Sequence, residues 1–98
     1  MKSIIQEDKT HCFICEQVAN GDHLDCHHVF GAANRPLSEK YGLKVFLHHR
    51  KCHIFGKNSV HQNAEVGKKV KAIAQKKAME HYGWSVEDFI KIFGKNYL

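Results

Sequence analysis

His23–Phe30 reads HLDCHHVF, and this stretch decides how the rest of the chain is read. Leu24, Val29 and Phe30 among polar residues suit a short strand over 23–30, after the Asn20-Gly21-Asp22 turn signal. A strand sends adjacent side chains to opposite faces, so His27 and His28 cannot share one task. Outward from it, LKVFL at Leu43–Leu47 is a second strand with Leu43, Val45 and Leu47 on one face. The intervening GAANRPLSEKYG, which holds the chain's one proline, Pro36, reads as a long hairpin loop.

Two short segments flank this hairpin. Cys12-x2-Cys15 places two thiolates on a tight turn, the usual first half of a tetrahedral zinc site. HHRKCH at residues 48–53 supplies the second half through His49-x2-Cys52, with His48 as the competing ligand. Zinc would then be held by Cys12, Cys15, His49 and Cys52. Cys26 reads as a packed thiol in the first strand. Cys12 and Cys15 lie too close for an ordinary structural disulfide, and the leading MKSIIQEDKT has no apolar signal region. The expectation is a cytoplasmic protein whose thiols serve metal.

Further along, Val66, Val70, Ile73, Ala74 and Lys77 recur at three- and four-residue steps, predicting a helix over 60–81 that ends at Gly83. Ser85-Val86-Glu87-Asp88 is a capping-box-like start for a last helix burying Phe89, Ile90 and Phe93. The fold expected is α+β: a zinc-stapled hairpin and helix with an extra C-terminal helix. We read one domain over 1–98, with its core at 11–65 and a helical part at 66–98. At 98 residues such a core is small, and a metal staple would add stability that burial alone supplies sparingly.

Lys and Arg total 15 against 10 Asp and Glu, a formal charge of +5 that favours a polyanionic partner. No run is long enough to span a membrane. Nine histidines are the larger anomaly. A neutral imidazole can take a proton from water near pH 7, while a second imidazole holds a divalent ion against a phosphate. His53 follows Cys52 directly, so zinc would fix its position, and His61 opens the long helix. Lys57, Asn58 and Arg35 are placed to touch phosphate, with Arg50 and Lys51 on the same basic face. His11, His23 and His81 carry no special role in this reading, and Lys68–Lys77 is a solvated face.

The order CxxC, strand, HH, loop, strand, H-x2-C-H and helix resembles the HNH endonuclease family, a ββα-metal fold. It most resembles the short HNH proteins of phages and prophages, which carry an HHIFG-like strand end and a GxxxVH segment. Here these are HHVFG (His27–Gly31) and GKNSVH (Gly56–His61), and the resemblance covers about residues 11–65. It implies a metal-dependent DNA endonuclease with structural Zn2+ and a catalytic Mg2+ or other divalent ion. By position, His28 would be the general base, and His27, His53 and His61 would hold the catalytic ion. The family's middle Asn has no counterpart near Leu43, and Asn34 is the residue available for its orienting role. A homodimer or a larger phage complex would be compatible partners. The competing class is a non-catalytic zinc module that binds nucleic acid or protein. An accessory protein of phage assembly is a third.

Overall fold

A computed structural model describes residues 1–98. Two antiparallel strands, β1 (Leu24–His28) and β2 (Lys44–His48), pair with Leu24 opposite His48, His27 opposite Val45 and His28 opposite Lys44. Val45 and Leu47 are fully buried and share that burial with Leu43, which precedes the strand. Each such side chain contributes roughly 1.5–3 kcal/mol of burial, so the alternation pins the register against a one-residue slip.

The segment between the strands is not a loop. It makes a 3-10 turn at Ala32–Asn34 and a helix, α1 (Arg35–Tyr41). Pro36 sits in the first turn of α1, where a missing N–H costs nothing. Gly42 ends α1 with φ of 72°, and a Cβ there would also strike the Lys2 carbonyl. The buried Ser38 hydroxyl accepts from the Phe30 N–H at 3.0 Å and donates to the Phe30 carbonyl at 2.8 Å. One side chain thus locks α1 against the end of β1.

After β2 the chain winds a single π-helical turn, His49–Ile54. Asp22 accepts from the backbone N–H groups of Arg50 at 2.9 Å and Lys51 at 3.0 Å, capping the turn from the β1 side. Gly56 is required at its exit, because a Cβ would collide with the Lys51 carbonyl.

The long helix, α2 (Ala64–Tyr82), starts later than its periodicity predicts. Asn63 caps it by accepting from the N–H groups of Glu65 and Val66, which leaves Val60 and His61 in the preceding turn. It also runs through the 65/66 division expected between core and helical part. It buries Val70, Ala74, Gln75 and Ala78, while Ile73, expected inside, is 40% exposed. The last helix, α3 (Val86–Phe93), has the capping box of Ser85 and Asp88 and buries Phe89 and Phe93. Ile90 is on its outer side. Phe30 packs against Phe89 and Phe93 with ring centroids 5.6 and 4.9 Å away, joining the hairpin to α3.

The N-terminal segment runs along β2. The Ile4 N–H donates to the Gly42 carbonyl at 2.9 Å, and Ile4 and Ile5 pack against the core. The knuckle that follows closes with Cys12 N–H donating to the Gln17 carbonyl and Phe13 N–H to the Phe46 carbonyl, at 2.9 and 2.8 Å. Glu16 takes a φ of 62° to complete the turn. The whole is α+β, a hairpin packed on helices with clustered Cys and His side chains and an added C-terminal helix.

Candidate metal centre

Three groups of donors gather around the hairpin. The first is Cys12, Cys15, Cys52 and His48, whose donor atoms lie within 4.8 Å of one another. The fourth member is therefore His48 and not His49. His48 pairs with Leu24 and still belongs to β2, whose edge the knuckle meets through the Phe46 carbonyl, whereas His49 has left the strand. His48 Nε2 lies 2.9 Å from the Val18 carbonyl, which can only accept, so Nε2 carries the proton. Its unprotonated Nδ1 then faces Cys15 Sγ at 3.2 Å. A tetrahedral zinc ion would set S and N about 3.5 Å apart, and the donor set fits it.

Burial opposes ionisation of Cys12, but the backbone N–H groups of Cys15, His48 and Ile14, with the Cys52 thiol, outweigh it and lower its pKa. Burial pushes Cys52 the other way, aided by the neighbouring Cys12 and Cys15. Packed together without a cation, several thiolates would repel. A divalent ion removes that conflict.

The second group is His27, His53 and His61. His27 Nδ1 lies 3.2 Å from His53 Nε2, and the His61 ring is 4.8 Å from His53 and 5.5 Å from His27 between centroids. Asp25 Oδ2 accepts from His53 Nδ1 at 2.8 Å, so the lone pair of His53 is on Nε2, the atom facing His27. A carboxylate behind a ligating imidazole fixes its tautomer and raises its basicity. Burial lowers the pKa of His27 to about 3, with His53 and His61 opposing its protonation further. His61 is lowered by burial, His53 and Lys71. His27 and His61 are thus neutral at pH 7, offering lone pairs to a cation. His61 serves from the turn before α2, not from the helix itself.

His28 takes a different neighbour. Its Nε2 lies 3.1 Å from Glu39 Oε1 on α1. Glu39 is held ionised, its pKa lowered to about 2 by the terminal ammonium, His28 and Lys44. Nε2 therefore carries a proton toward Glu39.

Both histidines of the doublet border one cleft of about 730 Å3. Arg35, His53, His61, Lys71 and Tyr97 also line it. Lys57 and Asn58 do not; Asn58 instead accepts from the Asn63 amide near the cap of α2. Asn34 lines the cleft, yet its amide donates to the Phe93 carbonyl at 3.0 Å, so it anchors α3 and does not orient His28. Cys26, expected as a packed thiol, is exposed. His49 has turned to Asp25, at 2.6 Å from Nδ1 to Oδ2.

Four cleft or support residues escaped the sequence reading. Asp25 is two positions before His27 and so on its face, a signal that strand alternation already carried. Glu39 was hidden with α1 itself. Lys71, within the stretch whose composition predicts a solvated face, borders the cleft one helical turn beyond Gly67. Tyr97 is held there by the buried Gln75, whose Oε1 accepts from the Tyr97 N–H at 2.6 Å.

Comparison with family models, curated proteins and solved structures returns no match. The hairpin, the following helix and the Cys3His cluster are consistent with an HNH-like ββα-metal fold. No helix is long and apolar enough to cross a membrane.

Proposed function

We propose that the chain is an HNH-type endonuclease that hydrolyses DNA phosphodiester bonds by a one-metal mechanism. The observation that carries this reading is the meeting of three imidazoles, His27, His53 and His61, and a separately held fourth, His28, in one cleft bordered by Arg35 and Lys71. Cys12, Cys15, His48 and Cys52 would hold structural Zn2+. His27, His53 and His61 would hold a divalent ion, Mn2+ or a borderline metal ahead of Mg2+ given three nitrogen donors, which when bound offsets the charge developing on the phosphate.

The chain's own residues do the rest. His28 accepts a proton from the attacking water at Nδ1, while Glu39 holds Nε2–H and stabilises the imidazolium that results. Asp25 holds His53 in its ligating tautomer. Arg35 and Lys71 bring the DNA backbone to the cleft by charge. Nothing resembles a base-reading helix, so cutting has little sequence preference.

The test is nicking of supercoiled plasmid in Mg2+ or Mn2+. We expect His28→Ala to lose about 10²–10⁴-fold in rate with an unchanged melting temperature. Plasmid left intact by the wild-type chain across several divalent ions would leave a zinc-stabilised binding module in its place.

A further inference from the structure

Asp25 has a second set of partners that the proposed chemistry does not use. Its Oδ1 lies 2.9 Å from His23 Nε2, and its Oδ2 lies 2.6 Å from His49 Nδ1. The His23 and His49 rings stack with centroids 4.8 Å apart and planes inclined by 18°. Their nitrogens and the carboxylate converge to within 4.8 Å. Ligands of a tetrahedral zinc ion are separated by about 3.4 Å, so the 2.9 and 2.6 Å contacts to Asp25 would lengthen slightly as an ion took the place of the shared protons. His23 is 72% exposed and free to adjust. The turn 20–22 and the π turn after β2 bring the two histidines together beside Asp25, at the edge of the cleft.

From this geometry we infer that His23, Asp25 and His49 form a further, solvent-facing site for a borderline divalent cation of the zinc class, which antagonises the His27–His53–His61 site through Asp25. Two imidazoles and one carboxylate favour zinc over magnesium, which prefers oxygen ligands and water. The antagonism follows from the shared carboxylate. Asp25 Oδ2 accepts from both His49 and His53. A cation on Asp25 draws off the negative charge that supports His53 as a ligand, and it repels a second cation nearby. Excess zinc would therefore loosen the inner ion. This inhibitory consequence rests on the nuclease reading; the binding site does not.

The experiment uses the full chain and Zn2+ alone as probe, counting bound ions by native mass spectrometry during titration. Wild type should take up three ions per chain, one for each cluster, the third more weakly than the second because the outer and inner sites share Asp25. His23→Ala and His49→Gln should each take up two, as should His27→Ala by loss of the inner ion. His23 lies outside both other clusters and is exposed, so its replacement does not threaten the fold. Equal uptake by wild type and His23→Ala overturns the site. In the nicking assay with Mg2+, His23→Ala should need at least about 10-fold more added Zn2+ for half-inhibition. Identical inhibition curves overturn the antagonism. Absence of nicking in wild type removes the nuclease reading and leaves the ion count to decide the site.

Discussion

The Cys3His cluster and the His27–His53–His61 cluster take ligands from consecutive residues, Cys52 and His53, yet their environments differ in every respect that matters chemically. Around the first, Cys12, His48 and Cys52 are at most 5% exposed, and the single imidazole, His48, is locked by the Val18 carbonyl. A sulfur-rich, enclosed set suits an ion that never leaves. Around the second, the donors are all nitrogen, His61 is exposed, and the group opens on a cleft. Such a set suits an ion that must meet substrate. One π-helical turn separates the two duties: it sends Cys52 to the staple and His53 to the cleft, so the closed site fixes the geometry of the open one.

The most severe way to break this comparison is to remove the staple. Cys52→Ser, or strong chelation of the wild type, should abolish the cooperative melting transition. Structural zinc in small domains contributes on the order of 10 kcal/mol, comparable with the roughly 5–15 kcal/mol total stability of a typical protein. Circular dichroism with and without zinc reads the outcome directly. A well-folded, zinc-free protein would mean that the hairpin and helices hold the cleft unaided.

A milder change should touch the open site alone. Asp25→Asn keeps the shape but weakens the acceptor that holds the tautomer of His53. Affinity for the inner divalent ion should fall about 10–100-fold, while the ultraviolet charge-transfer band of a cobalt-substituted Cys3His cluster stays unchanged. Loss of that band in the variant would show that the two clusters are not separable.

How far these clusters are legible in the sequence depends on which interaction places each residue. Cys12-x2-Cys15 and Cys52 follow from spacing, because a tight turn sets the distance between thiols. The choice between His48 and His49 does not. It turns on where β2 ends: with the strand extended one residue past Leu47, His48 stays in the strand whose edge the knuckle meets, and His49 is carried round by the π turn to Asp25. Strand alternation alone linked Asp25 to His27. Glu39 lay beyond reach, since α1 is seven residues long and its Pro36 and flanking glycines resemble a loop. Its stability comes from tertiary contacts such as Ser38 with Phe30, which local composition does not encode. The start of α2 was displaced for a similar reason, as the apolar period runs back into the turn that Asn63 caps.

The smallest expected effect tests whether α3 is a bystander to both clusters. Its capping box lowers the pKa of Asp88, chiefly through the Ser85 backbone N–H and hydroxyl, against a slight opposing effect of burial. A carboxylate depressed in the folded state stabilises fully above its unfolded value and stops doing so as the pH falls through the folded one. Asp88→Asn should therefore melt slightly below wild type at neutral pH, with the gap closing in acid. The difference between the two proteins is the readout, because the thiolates and imidazoles of both clusters also take up protons there. Ion affinities at neutral pH should be the same in the two proteins. A changed affinity at either cluster would show that α3, through the Asn34–Phe93 hydrogen bond and the Phe30 packing, helps to set the metal geometry that the π turn is here taken to govern.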